Sequence, residues 1–146
     1  MALSSDGTTA LVGSWNDGDP NGENAGSAYV FETSGGAWRQ RAKLAPEDVD
    51  SGDSFGSAVA LSRDGTTALV GAYLDRNSSG VYAGSTYVFE ADNGSWSQRT
   101  KITPDRSRQV ALSVGLSNHA TTAVIGAPED AEPNGENTGS AYVYDL

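Results

Sequence analysis

Apolar and polar side chains alternate along several short segments of the chain. The pattern is clearest in residues 38–44 (WRQRAKL) and 96–102 (WSQRTKI), where arginine and lysine fall between the less polar positions. An alternation with a period of two predicts a β-strand that has one packed face and one solvated face. In residues 28–31 (AYVF) both sets of positions are apolar, which predicts a strand that is covered on both sides. The chain is therefore expected to be all-β.

These strand patterns recur in the same order along the chain. A segment around an Asp-Gly turn occurs three times, as ALSSDGTTALVGS (2–14), ALSRDGTTALVGA (60–72) and, altered, GLSNHATTAVIGA (115–127). A Tyr-Val segment also occurs three times, as AGSAYVFE (25–32), AGSTYVFE (83–90) and TGSAYVYD (138–145). The equivalent glycines Gly13, Gly71 and Gly126 are 58 and 55 residues apart. A fixed period of this length indicates a repeat architecture.

Each full repeat contains four predicted strands, from an inner Phe-Gly strand to an outer Trp strand. Units of this size with four antiparallel strands are typical of β-propeller blades. We divide the single domain 1–146 into repeat 1 (2–54), repeat 2 (55–109) and repeat 3 (110–146). Repeat 1 is expected to lack its inner strand and repeat 3 its outer strand. The fold prediction is a partial propeller of about two and a half blades.

An incomplete propeller leaves sheet faces and edges that need a partner. One hypothesis is that two copies close head to tail into a six-bladed ring, since a heterologous contact can return on itself. The other is that the remaining blades belong to a longer protein. The expected partner is accordingly either the chain itself or further blades.

Several of these segments resemble a known family. Phe55-Gly56 followed by Val70-Gly71-Ala72, together with Gly126-Ala127-Pro128, is similar to the FG-GAP repeats of integrin α-subunits and of microbial surface proteins. Repeat 3 has Val110-Ala111 at the Phe-Gly position. The resemblance implies a β-propeller, an extracellular or cell-surface location, and a role in adhesion or ligand binding, with a glycan or a surface protein as partner. Some propellers of this kind accompany enzymes.

Composition and charge narrow the choice of partner. Nineteen acidic residues against nine basic ones give a formal net charge of -10, which disfavours nucleic acid and anionic membrane surfaces. The acidic excess, with only two lysines, resembles proteins adapted to high salt. No apolar run is long enough for membrane insertion, and Met1 is not followed by a signal peptide. The absence of cysteine excludes disulfides and thiolate metal sites.

The loop before each Tyr-Val strand is the candidate metal site. Oxygen-bearing residues alternate there as in the first half of an EF-hand loop, which predicts Ca²⁺ binding. They are Asp17, Asp19, Asn21 and Glu23 in copy one, Asp130, Glu132, Asn134 and Glu136 in copy three, and a weaker set, Asp75, Asn77 and Ser79, in copy two. The alternative is that these residues form Asx turns. Ala28 stands where the bidentate glutamate of an EF-hand would be, and integrin propellers carry their calcium loop between the first two strands.

Candidate catalytic residues are scarce. The only histidine, His119, replaces a turn aspartate of the other copies, and no serine lies in a nucleophile-elbow context. We therefore expect no catalytic site and no enzyme activity. The favoured function is a non-catalytic binding or adhesion module whose fold calcium stabilises. The alternatives are a purely structural, self-assembling propeller unit and, third, an enzyme-associated propeller.

Overall fold

The three repeats fold into three antiparallel sheets that follow one another along the chain in a computed structural model. The structure describes residues 1–18, 22–77, 79–104, 110–130 and 138–146. Within these ranges, no helix is long and apolar enough to cross a lipid bilayer. Each sheet is a meander, because its strands pair in the order in which they occur along the chain.

The strands have the following bounds. The first sheet contains β1 (Ala2–Leu3), β2 (Thr9–Ser14), β3 (Ser27–Ser34) and β4 (Ala37–Leu44). The second contains β5 (Phe55–Leu61), β6 (Thr67–Ala72), β7 (Ser85–Asp92) and β8 (Ser95–Ile102). The third contains β9 (Ser113–Leu116), β10 (Thr122–Ala127) and β11 (Ser140–Asp145). The all-β prediction with four-stranded antiparallel blades is confirmed.

The first sheet differs from expectation at its inner edge. We expected repeat 1 to lack an inner strand, but β1 pairs antiparallel with β2, with Ala2 opposite Leu11 and Leu3 opposite Ala10. Ala2 and Leu3 correspond to Ala60 and Leu61 at the end of β5. The repeated segment ALS that opens the chain is therefore the end of an inner strand. The described residues of repeat 3 form three strands and include no outer one.

Aspartates organise the tight turns between inner and second strands. In the first sheet, Asp6 Oδ1 accepts hydrogen bonds from Ser4 Oγ at 2.7 Å and from the Thr8 amide at 3.0 Å. Asp64 accepts the equivalent bonds in the second sheet, and the following Gly7 and Gly65 both have positive φ. His119 stands at the corresponding turn of the third sheet. The Asp-Gly turns thus connect paired strands, as their sequence predicts.

Apolar side chains between adjacent sheets form the core. Phe55 is fully buried between the first and second sheets, and its ring packs edge-on against Tyr87 at 5.3 Å and Phe89 at 6.0 Å between centroids. Leu69 and Val88 of the second sheet cluster with Ala123 of the third. Adjacent sheets therefore pack face to face, and the second sheet is covered on both sides.

Candidate functional site

An aspartate lies at the base of the loop before each Tyr-Val strand, and in the first and third sheets it accepts a hydrogen bond from a tyrosine twelve residues later. In the first sheet, the Tyr29 hydroxyl donates to Asp17 Oδ2 at 2.5 Å, and Lys43 Nζ lies 3.2 Å from the same oxygen. The hydrogen bond from Tyr29 lowers the pKa of Asp17 to about 2, with help from Lys43, although partial burial opposes the shift. Asp17 is therefore a charged anchor that joins three strand ends.

The second sheet carries a more buried version of this network. Lys101 Nζ lies 2.8 Å from Asp75 Oδ2 and 3.0 Å from Asp48 Oδ2, and it sits 4.9 Å from the centre of the Tyr87 ring. Burial alone would lower the pKa of Lys101, but the contacts with Asp75, Tyr87 and Asp48 raise it above its ordinary value. Burial also raises the pKa of the Tyr87 phenol. The lysine thus stays charged and balances the buried Asp75.

The third sheet repeats the arrangement with Asp130, which is buried and accepts a hydrogen bond from the Tyr142 hydroxyl at 2.5 Å. The backbone of each aspartate is used as well, because its carbonyl accepts the amide of the glycine that ends the loop. These bonds are Gly26 to Asp17 at 2.8 Å, Gly84 to Asp75 at 2.9 Å and Gly139 to Asp130 at 3.0 Å. The spacing of Asp and Tyr recurs in all three repeats, so the sequence held a signal for this network that our metal interpretation did not use.

The predicted calcium ligands divide between described and undescribed residues. Asp17, Glu23, Asp75, Asn77, Ser79 and Asp130 lie within the described residues, and Asp19, Asn21, Glu132, Asn134 and Glu136 lie outside them. Across the described ranges, no three acidic or histidine side chains converge as a metal site would require. One carboxylate oxygen of Asp17 and one of Asp75 already form ion pairs with Lys43 and Lys101. These contacts fit a structural role better than that of a calcium ligand. The calcium prediction stays untested.

The loop of copy two forms an Asx turn, which is the alternative to a metal site. Asn77 Oδ1 accepts hydrogen bonds from the amides of Ser79 at 3.0 Å and Val81 at 3.1 Å, which is an Asx-type turn. The Arg76 guanidinium stacks on the Tyr82 ring at 4.4 Å. A cationic group at this position lowers the attraction of the loop for a metal ion.

A groove lies between the first two sheets near their outer strands. Its lining comes from the segment after β4, with Pro46, Glu47 and Asp48 among its residues, and from the second sheet, with Phe89 and Trp96 among them. The indole Nε1 of Trp96 is buried and has no hydrogen-bond partner among the described residues. Because that atom has almost no accessible surface, Trp96 can offer a ligand in the groove its ring but not its N–H.

Trp38 occupies the same repeat position in the first sheet but has a different environment. It is 48% exposed, because no sheet precedes the first one among the described residues. Both tryptophans come from the same strand pattern, so the sequence could not distinguish the groove residue from its exposed counterpart.

Comparisons with known proteins agree with this architecture. A family model described as FG-GAP repeat matches residues 1–31, 38–89 and 96–144, which is most of the chain. No curated protein sequence matches. Among solved structures, the crystal structure of TolB from Acinetobacter baumannii superposes with a TM-score of 0.56 at 13% sequence identity, over 99% of this chain and 29% of TolB. At that identity the likeness shows the propeller fold alone, and the chain spans less than a third of the TolB length.

Proposed function

The chain belongs to the FG-GAP repeat family and is a propeller repeat module, and we propose that it is a non-catalytic binding or adhesion module of an exported or cell-surface protein. The observation that supports binding most directly is the groove at Trp96. It combines the aromatic side chains of Phe89 and Trp96 with the carboxylates of Glu47 and Asp48. Concave surfaces of this kind, with few but well-placed polar groups, are typical ligand sites.

The chemistry of the groove favours an uncharged glycan. Sugar hydroxyls can donate to the carboxylates of Glu47 and Asp48, which line the groove. The ring of Trp96 offers an apolar surface for the C–H face of a sugar. An acidic glycan is disfavoured, because the chain carries a formal charge of -10.

A glycan and matrix-protein binding screen tests the proposal, with Trp96→Ala as the decisive variant. Alanine removes the ring on which a sugar would stack, so the affinity for any ligand found should fall about tenfold, which corresponds to about 1.4 kcal/mol of aromatic contact. The matched control is Trp38→Ala, the same change at the equivalent exposed position. Equal affinity of the wild type and Trp96→Ala would remove the groove from the proposal.

Self-assembly is a second candidate function, favoured by the open outer face of the first sheet. Leu3 is exposed there, and Tyr29 and Phe31 are half-buried, whereas their counterparts Tyr87 and Phe89 in the second sheet are buried. A head-to-tail dimer that closes a six-bladed ring would cover this face. Light scattering tests the ring, since a folded protein that stays monomeric contradicts it. If the binding screen finds no ligand and the protein forms a stable dimer, this structural function is favoured over binding.

Calcium stabilisation is the remaining part of the proposal. With Asp17 and Asp130 engaged by tyrosines, the loops of copies one and three would hold the ion through Asp19, Asn21 and Glu23 and through Glu132, Asn134 and Glu136. Calcium would there offset the mutual repulsion of neighbouring carboxylates. Copy two is expected to contribute nothing, since Arg76 and Lys101 already supply positive charge around its loop.

A further inference from the structure

The Phe-Gly pair of the second sheet fills a socket in the first. The amide of Phe55 donates to the Ala25 carbonyl at 2.8 Å, and Phe55 forms a parallel bridge with Gly26. A Cβ on Gly13 would lie 1.9 Å from the Gly56 carbonyl oxygen, and a Cβ on Gly26 would lie 2.0 Å from that of Phe55. Backbone therefore touches backbone at two glycines, and only an extended segment can enter.

The same socket is filled again between the second and third sheets. The Val110 amide donates to the Ala83 carbonyl at 2.9 Å. A Cβ on Gly71 would meet the Ala111 carbonyl oxygen at 2.6 Å, and one on Gly84 would meet that of Val110 at 2.4 Å. Ala111 has a φ of 67°, a conformation that alanine rarely adopts and that Gly56 adopts at 91°. The junction geometry is thus kept even where the Phe-Gly sequence is not.

The third sheet presents a third socket with the same residues. Gly126 and Gly139 stand at the two glycine positions, and they line a cavity together with Ala127, Pro128 and Ala141. The amide of Gly139 bonds to Asp130, as the equivalent glycines bond to Asp17 and Asp75 in the filled sockets. The glycines thus occur at this face although no described segment enters it.

The sheet surface beside this socket is uncovered. Val143 is 67% exposed, while its counterparts Val30 and Val88 are completely buried. Val124 is 42% exposed, while Leu11 and Leu69 at the same position are completely buried. The difference lies in the neighbour alone, because the strands and their register are equivalent in the three sheets.

We propose that the face formed by Gly126, Gly139, Val124 and Val143 binds the inner strand of a further FG-GAP blade, entering with a large apolar residue followed by glycine or alanine. The two filled sockets define this occupant, since both take such a pair and both place it against two glycines. The inference is independent of glycan binding at Trp96, which lies between the first and second sheets.

A second copy of these 146 residues is a poorer occupant. Its two pairs of this kind, Phe55-Gly56 and Val110-Ala111, are already in use between its own sheets. The outer face of the first sheet could cover Val124 and Val143, but it would bring no apolar-glycine pair to Gly126 and Gly139. The glycine socket therefore distinguishes the two occupants.

The experiment is an NMR titration of the full chain with the peptide DSGDSFGSAVALS, the sequence of residues 50–62. We expect saturable shifts of the backbone amide signals of Gly126, Gly139 and Val143. A control peptide with Phe55→Ser and Gly56→Val should not bind, because it lacks the large apolar side chain and because the β-branched valine cannot readily adopt the positive φ that Gly56 and Ala111 have at the second position.

Gly126→Ala is the blocking variant. In the chain alone, its new methyl group meets only the flexible Ser113 hydroxyl at 2.3 Å, so the fold should survive, whereas an incoming backbone could not approach. Affinity for the peptide should fall at least about tenfold, since close-packed backbone contacts do not tolerate an added carbon. Gly115→Ala, whose Cβ would have no neighbour nearer than Val124 at 4.0 Å, is the matched control.

Three results would overturn the proposal. These are the absence of saturable shifts, equal shifts with the control peptide, and equal affinity of Gly126→Ala and wild type. A stable dimer that Val143→Asp dissociates would assign the face to a second copy instead. None of these results depends on ligand binding at Trp96, so failure here and failure of the glycan proposal remain distinguishable.

Discussion

The carbonyl oxygen of Gly56 lies 1.9 Å from the point where a Cβ atom on Gly13 would stand. The two glycines belong to adjacent sheets, so this contact sets how closely the first two blades approach. Gly126 occupies the same repeat position as Gly13, at a face that no described segment covers. Substitutions at Gly13 and Gly126 can therefore show whether the glycine is required within its own strand or for contact with the adjacent sheet.

We predict that Gly13→Ala lowers the free energy of unfolding by about 3 kcal/mol, because the added carbon forces two backbones apart. Gly126→Ala should cost less than about 1 kcal/mol, since only a serine hydroxyl must rotate. Urea denaturation followed by tryptophan fluorescence measures both variants. Equal losses would mean that the glycine is required within its own strand, and would contradict the role of the junction.

We predict that Tyr29→Phe makes the chain less stable at neutral pH and raises the pKa of Asp17 towards the ordinary value of 3.8. The wild-type pKa of about 2 is below that value, so the stabilisation is present above pH 3.8 and is lost as the pH falls through about 2. The difference in melting temperature between variant and wild type should therefore shrink below pH 4.

Carboxyl-detected NMR titration and thermal melts at several pH values check this prediction. Tyr73→Phe removes a hydroxyl outside the three Asp-Tyr pairs and serves as the control. An unchanged Asp17 titration in Tyr29→Phe would show that the hydrogen bond is not what depresses the pKa.

We predict that Lys101→Met destabilises the chain by about 3 kcal/mol, because it leaves the Asp75 carboxylate buried without its cation. The side chain of Asp75 is only 8% exposed, and its bond to Lys101 is 2.8 Å long. Arg99→Met breaks an exposed ion pair with Glu90 and should cost less than about 1 kcal/mol. Chemical denaturation at neutral pH compares the two, and similar losses would contradict the importance of burial.

We predict that millimolar calcium raises the melting temperature of the chain, and that chelator reverses the change, because an ion bound only by the folded state stabilises it. The combined variant Glu23→Gln and Glu136→Gln should reduce the shift. Asn77→Ser, in the copy that forms an Asx turn, should leave it unchanged. Identical melting curves with calcium and with chelator would end the calcium prediction.

Much of this fold could be predicted from the sequence, because strand alternation, Asp-Gly turns and the repeat period are local patterns that survive in three copies. They yielded the four-stranded blade, the strand order and the FG-GAP family. The pattern was less reliable at the start of the chain. There the segment Ala2–Leu3 is too short to show an alternation. Only its pairing with β2 identifies it as the end of an inner strand.

The site depended on contacts that the sequence does not contain. The acidic residue at the start of each loop reads as a metal ligand, yet Asp17 contacts Tyr29 and Lys43 of two other strands, and Asp75 pairs with Lys101 of another strand. Their partners are distant in sequence, so oxygen spacing within the loop could not reveal them.

The sequence by itself determined that this protein is a row of equivalent blades. Only the tertiary structure decided which equivalent positions differ in environment. Trp96 lines a groove while Trp38 is exposed, and Val30 is buried while Val143 faces outward. The physical reason is that a repeat encodes the blade, whereas burial depends on the sheet that lies beside it.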